Sequence, residues 1–464
     1  MADARVLDPG IPPAGEDAWR ALVAKTLGDK PFESLTKSTV EGLLIAPLHP
    51  ASDKAASFPA RPFDGERPWD IRVLSAHPDV ARLNAELLAD LEGGAASVIV
   101  QGHASPEALA RALNRVIVEL APVGLDAGFL GPKAADALHA VAKSSPGAKL
   151  NFHMDPLSAF AEAGESPGPI ESHVVSAATV GARHAQTYPQ AQLFLASGRV
   201  AHEAGGGEAL EVAVAAAAAI TYAKALVRAG LPVAEAFARI TLGLAADGDY
   251  FLTLAKLRAA RAVFARIATA SGASAQARVE ARTSRRMLTA QDAWTNMIRL
   301  TAAGFGAAAG GADAVVLGNF TDALGLPTAF GRRQSRNTQL VVMEEAGVGR
   351  VADPAAGSGY IETLTDQIAR AAWDRLQALE AAGGLIAALE QGLVARDVEA
   401  AIAARGDPKI LGVTAFPPND QAPVEVDAAT AAELDVSAAR LPGPDGRCPA
   451  LKPMRLSEKH EGSQ

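Results

Sequence analysis

A closed barrel of eight parallel strands wrapped by helices is the fold this chain predicts, and three observations carry it. Short apolar runs alternate with amphipathic helical stretches from about residue 67 to about residue 350. Strand and helix patterns in alternation build a parallel α/β sheet. Eight of the runs have strand length, the count that closes a (β/α)8, or TIM, barrel. Third, no Gly-x-Gly-x-x-Gly turn follows the first strand, and that turn is the usual mark of an open doubly wound sheet. The open sheet is the runner-up architecture.

At 464 residues and 49% hydrophobic content, the chain can bury one large core or two domains. Residues 1–66 read as an N-terminal extended arm, disordered at its Pro- and Gly-rich start. One amphipathic helix follows at 16–27, with Trp19, Leu22, Val23 and Leu27 on one face. Residues 67–358 read as the barrel, with strands expected at 97–101, 121–125, 149–153, 173–176, 192–196, 240–244, 276–282 and 314–317. Helices are expected between most of them, among others at 78–91, 105–120 and 208–229, the last stopped by Gly230 with Pro232 beyond. Residues 359–416 read as a C-terminal helical annex: a long helix at 360–382 ended by Gly383-Gly384, a second at 385–394, a third around 397–404, and a strand at 410–415. Residues 417–464 form a Pro-rich polar tail, expected to wrap a partner or stay mobile.

The net charge is −9, with acids and bases interspersed. Binding nucleic-acid phosphates needs a basic face, so that function class is disfavoured, although a local basic pocket is not. Cys448 is the single cysteine, which excludes an intrachain disulfide and leaves no thiolate zinc site. The N-terminus has no apolar signal core, and the most apolar run, 212–220, is too short and too Ala-rich to span a bilayer. A cytoplasmic location without membrane association is expected.

Two strings could carry chemistry. In Arg67-Pro-Trp-Asp-Ile-Arg72, arginines five positions apart are stiffened by Pro68 and anchored by Trp69. They could clamp phosphates through forked hydrogen bonds. Alternatively, Trp69 plugs the barrel bottom while the arginines pair with surface acids. The second string is Ala191-Gln-Leu-Phe-Leu-Ala-Ser-Gly-Arg-Val-Ala-His-Glu-Ala-Gly205, a short buried strand feeding a loop at 197–207. Such loops carry the chemistry of barrel enzymes. Within it, His202-Glu203 could act as general acid and base. His202 has no metal-spaced partner, and a hydrogen-bonded structural or interface role suits it better. Gly205-Gly206-Gly207 ahead of a helix could cradle a phosphate, though a lone glycine triplet is also ordinary turn chemistry. Asn337, Thr338 and Gln339 are expected to satisfy backbone groups at a strand–helix junction, with Asp353-Pro354 and Gly357 making a turn into the next helix.

These strings resemble, in order, motifs of the cobalamin-dependent acyl-CoA mutases, above all methylmalonyl-CoA mutase. Residues 67–72 resemble that family's Arg-Pro-Trp-x-Ile-Arg, whose arginines lie along the coenzyme A channel, and residues 197–205 resemble its Ser-Gly-Tyr-His-Met-Gln-Glu-Ala-Gly. Residues 255–261, 336–340 with Glu344-Glu345, and 352–360 are also close to family strings. Thr283-Ser-Arg-Arg-Met-Leu-Thr289, with Asp292 and Asn296, is similar to the small-subunit version. The resemblance covers roughly residues 16–415.

What the resemblance implies turns on departures from the pattern. The family's tyrosine falls on Arg199 and its catalytic histidine on Val200, while Leu74 stands where a second tyrosine is expected. Leu74 has no phenol, and Val200 cannot donate a hydrogen bond to a thioester carbonyl. No histidine here has an aspartate two positions before it, as the family's cobalt-ligating Asp-x-His-x-x-Gly requires. The resemblance therefore implies a small (beta) subunit with no catalytic residues, no metal ligands, and no cobalamin-binding domain in these residues. Arg67 and Arg72 are its candidates for the coenzyme A side. The implied partner is a catalytic large subunit in a heterodimer, which would carry adenosylcobalamin. The complex would interconvert (R)-methylmalonyl-CoA and succinyl-CoA by a radical mechanism. Three alternatives stay open: the barrel component of a split acyl-CoA mutase acting with a separate cobalamin protein, a non-enzymatic acyl-CoA-binding module, and a scaffold with an empty barrel.

Overall fold

A computed structural model describes residues 15–50 and 58–461. Eight parallel strands close into a barrel: β1 Asp70–Ser75, β2 Ser97–Gln101, β3 Val123–Asp126, β4 Leu150–Met154, β5 Gln192–Ser197, β6 Ile240–Ala246, β7 Arg278–Thr283 and β8 Ala314–Val316. Each strand pairs with its neighbours in sequence, and β8 returns to β1 with Ala314 opposite Asp70. The outward side chains, such as Ile71, Val98, Val100, Val279 and Ala281, join the core beneath the surrounding helices. The (β/α)8 barrel is thus the observed architecture.

The strand count agrees with expectation because two errors cancel. The expected strand at 173–176 lies inside the helix Ile170–Thr187. Its buried residues Ile170, His173, Val174, Ala177, Ala178, Gly181 and Ala182 recur at helical spacing, which overrides the strand preference of Val174-Val175. The strand missing from the expectation is β1, whose Asp70 and Arg72 break the apolar run. Both face the barrel interior, and there a charged pair replaces the expected hydrophobes.

The helix Glu208–Arg228 is long and apolar enough to cross a membrane, yet 78% of its most apolar window is buried inside this fold. Its alanines let it approach both β5 and β6 and the long annex helix Gly359–Ala381 closely. Burial between layers accounts for the apolarity. The helix expected at 105–120 is only Pro106–Ala112, started by the Ser105 hydroxyl accepting from the Ala108 amide. In the annex, the second and third helices are Leu385–Glu390 and Leu393–Arg405, broken at Gln391-Gly392. The strand expected at 410–415 is a tight turn with a single Leu411–Ala415 bridge. Gly412 takes a positive φ of 78° there, and the amides of Val413, Thr414 and Ala415 all donate to the Ile410 carbonyl. Among the arm residues, the helix Glu16–Leu27 has the expected bounds and no buried residue. Residues 1–14, most of the stretch read as disordered, lie outside the described residues.

The tail departs most from expectation. Its described residues cross the mouth of their own barrel. The amide of Ala432 donates to Ala76 O at 2.8 Å, that of Leu441 to Pro167 O at 2.9 Å, and that of Leu451 to Ala161 O at 2.7 Å. Met454 N donates to Glu203 O, and Leu456 N to Arg286 O, both at 2.9 Å. These acceptors lie beyond the C-terminal ends of β1, β4, β5 and β7. Backbone hydrogen bonds help hold the strap, beside side chains such as Asp445, Leu451, Ser457 and Glu461, and a hydropathy pattern carries no trace of main-chain bonds.

Candidate functional site at the barrel mouth

Charged side chains fill the lower barrel. Arg72 donates from Nη1 to Glu280 at 2.6 Å, from Nη2 to Asp70 at 2.7 Å and from Nε to the Ser97 hydroxyl at 2.8 Å. Arg282 donates from Nε to Glu280 and from Nη1 to Asp126, each at 2.7 Å. Burial opposes the charged form of Glu280, yet Arg282, His153 and Arg72 hold its carboxyl far below the usual range. Burial likewise opposes the charge on Arg72 and Arg282, and their carboxylate partners raise both above the usual arginine value. The axis is a packed ionic plug running from β1 through β7 to β3.

Only one of the two arginines of the first candidate string belongs to the plug. Arg72 is buried within the barrel, whereas Arg67 is exposed ahead of β1 at the opposite, N-terminal end, its amide donating to Asp64. No clamp is formed by the pair. Trp69 is buried between them, with its indole N–H donating to Gln339 Oε1 at 3.3 Å and the Arg61 guanidinium 5.9 Å from its ring centroid. Gln339 thus serves Trp69 and not the backbone. It lies in the helix Ala329–Leu340 together with Asn337 and Thr338, so the expected strand–helix junction is absent. Asp353 makes its turn, accepting from the Ala355 amide, and also takes two hydrogen bonds from Arg258.

Above the plug, a cavity of about 1230 Å³ opens at the C-terminal ends of the strands. Leu74, Arg199 and Val200, the positions aligned with the family's reactive side chains, all line it. The segment after β5 is a short helix, Arg199–Glu203, and not an open loop. Burial and the nearby Arg282 guanidinium push the Arg199 side chain below the usual arginine value. His153, on β4, also lines the cavity and was not among the sequence candidates. Its φ is +47°, an unusual value for a non-glycine strand residue, and the β4–β5 register is irregular there. Burial lowers its imidazole to about 4. The alternation Arg278-Val-Glu-Ala-Arg-Thr283, with charges at every second residue, was the sequence signal for a polar barrel interior.

His202 and Glu203 prove to be struts. His202 Nδ1 lies 3.0 Å from Glu211 Oε2, and its Nε2 lies 3.2 Å from Asp247 and 3.1 Å from the Ser284 hydroxyl. Glu203 accepts from the amides of Arg285 and Arg286. Together they tie the segments after β5, β6 and β7. The glycine triplet is also occupied from within. Glu41, from the arm, accepts from the amides of Ala209 and Leu210 at 2.8 and 2.9 Å, filling the helix N-terminus where a phosphate would sit. A Cβ on Gly207 would lie 2.3 Å from the Glu41 carboxyl carbon, so glycine is what admits this carboxylate.

Asp155 caps the helix Pro156–Ala163 beside the cavity, accepts from Tyr222 Oη at 2.6 Å, and is raised by burial to about 6. It and His153 oppose one another in acid. Below pH 6.5 the unfolded chain protonates its histidine before folded His153 does, so stability falls until about pH 4. From pH 6 to about 3.8 the folded state protonates Asp155 first, so stability rises. Asp155→Asn removes only the rising contribution. Its stability deficit against wild type should therefore widen between pH 6 and 4 in urea titrations. Parallel pH profiles for the two proteins would refute this assignment.

The sequence model of the family described as Methylmalonyl-CoA mutase matches residues 138–441. The chain is 38% identical over 457 residues to the methylmalonyl-CoA mutase small subunit of Streptomyces virginiae, covering 91% of this chain and 73% of that protein. It is 38% identical over 393 residues to the probable methylmalonyl-CoA mutase small subunit of Mycobacterium bovis, covering 78% and 62% respectively. The small subunit of Propionibacterium freudenreichii subsp. shermanii is 34% identical over 428 residues, covering 85% and 66%. The chain thus spans between 62% and 73% of the length of these curated relatives. Motif order, barrel and overall similarity agree: this chain belongs to the methylmalonyl-CoA mutase family.

Proposed function

We propose that the chain is a catalytically silent small subunit of an adenosylcobalamin-dependent methylmalonyl-CoA mutase. It would act in the cytoplasm beside a catalytic large subunit, the complex isomerising (R)-methylmalonyl-CoA and succinyl-CoA. The observation that carries this reading is the cavity itself. Leu74, Arg199 and Val200 line it where the family's phenols and imidazole are expected, and the charged plug occupies the axis beneath. Arg72, Glu280 and Arg282 are buried and paired with one another inside the barrel, and Arg67 and Arg72 do not meet around one phosphate. That separation weighs against the acyl-CoA-binding module.

The residues at this mouth do not fit a corrinoid. The tail covers it, His77 is engaged by the Asp79 amide, and His153 is buried within the barrel. Adenosylcobalamin is assigned to the partner on this ground. Co-expression with a large subunit of the family, followed by size-exclusion chromatography and mutase assay, tests the proposal. A heterodimer active only when the large subunit is present is expected. Full activity of this chain alone with adenosylcobalamin would overturn it.

A further inference from the structure

We propose that residues 427–461 form a lid over the barrel mouth, opening and closing as one unit while the barrel stays folded. The mouth is shaped for the closed strap. Gly102, just after β2, and Gly168, in the loop after the helix Pro156–Ala163, take left-handed φ values of 79° and 108°. A Cβ on Gly102 would lie 2.5 Å from the Ala432 carbonyl oxygen, and one on Gly168 2.6 Å from that of Leu441. Only glycine lets the main chain of the strap come so near at both places. Between them the strap pairs with the loop at 164–168. Ser166 N donates to Gly446 O at 3.2 Å, Cys448 N to Gly164 O at 2.9 Å, and Gly168 N to the Asp445 carboxylate at 2.9 Å.

Beyond such bonds, little holds the strap closed. Of residues 427–461 only Ala439, Leu451 and Ser457 are buried. Its helical structure is confined to the 3-10 turns Val436–Ala439 and Glu458–His460. Hydrogen bonds to the rim trade almost evenly for bonds to water, so apolar burial sets most of the cost of opening. Leu451 is the one large apolar side chain that the strap buries, and its release frees the anchors on both sides. The barrel differs sharply: every residue of β4, β5 and β6 is buried. Segments with few buried apolar contacts open well before the whole fold does. Residues 417–426 supply the hinge, with Pro417, Pro418 and Pro423 and no buried residue. Leu434, Val436, Ser437, Arg440, Leu451 and Lys452 line the mouth cavity, so an open strap removes one of its walls.

Native-state hydrogen exchange of the full-length chain tests the unit. In wild type, the amides of Ala432, Leu441, Cys448, Leu451, Met454 and Leu456 should share one opening equilibrium. They should exchange about a hundredfold faster, or more, than the amides of β6. Leu451→Ala should speed all the strap amides about tenfold or more, Ala432 and Leu456 at the far stations included, and leave β6 unchanged. Thiol labelling tests the lid. Val200→Cys, in a Cys448→Ser background, puts a thiol on the cavity wall, and its reaction with a maleimide should accelerate by the same factor when Leu451→Ala is added. Strap amides that exchange only together with β6 in wild type would overturn the proposal, a result that needs no substitution. A response to Leu451→Ala confined to its near neighbours would overturn the single unit, and labelling indifferent to that change would overturn the lid.

Discussion

Glu280→Ala is expected to lower the unfolding free energy by about 3–5 kcal/mol, the usual cost of removing one partner from a buried ion pair. The carboxylate accepts from Arg72 and Arg282 at once and is 1% exposed. Without it, two guanidiniums remain in the barrel axis with Asp70 and Asp126 as their remaining carboxylates. Neither can lose its proton to escape, because arginine stays charged in proteins. Glu280→Gln keeps an acceptor but not the charge, and should fall between alanine and wild type. Urea unfolding of the purified chain measures both. A loss below about 1 kcal/mol for the alanine variant, the range of ordinary substitutions, would show that the network is solvated and that the axis is not sealed.

How much of this was legible in the sequence depends on which force dominated each element. Strands β2 to β8 were readable because their outward faces are apolar and their lengths short. β1 was not, because its inward Asp70 and Arg72 look like surface residues until the partner strand β7 is placed opposite. The same blindness hid His153: an isolated histidine in Asn151-Phe-His-Met154 gives no hint that it faces Glu280 at 3.8 Å. Leu74, Arg199 and Val200, which the resemblance singles out together, line one cavity, since they end or follow strands of one barrel. The resemblance could not show that Arg72 is built into the plug while Arg67 is exposed ahead of β1. The tail was the least legible element, since much of its docking runs through main-chain hydrogen bonds and only a few scattered side chains, such as Leu451 and Ser457, are buried.

Beneath the mouth, Lys256→Met should be nearly as damaging as the Glu280 change, and for a related reason. Lys256 is fully buried, and its Nζ lies 2.6 Å from Glu211 Oε2. Burial alone would raise the Glu211 carboxyl, but Lys256 and His202 bring it down to about 2. Glu211 also accepts from the Ala245 amide at 2.5 Å and so ties its helix to the end of β6. Removing the lysine leaves this carboxylate facing only His202 and one amide, at a cost again of about 3–5 kcal/mol. Residues 255–261 stand out in the sequence only by their resemblance to a family string, and nothing in them marks Lys256 as buried, since lysine is seldom buried unless paired. The double variant Glu211→Gln/Lys256→Met separates charge from packing. If the lost stability is the penalty of an unpaired buried charge, the double variant should be more stable than Lys256→Met alone in urea unfolding. If it is less stable than either single variant, the pair contributes net attraction beyond its desolvation cost, and the buried-charge account of this layer fails.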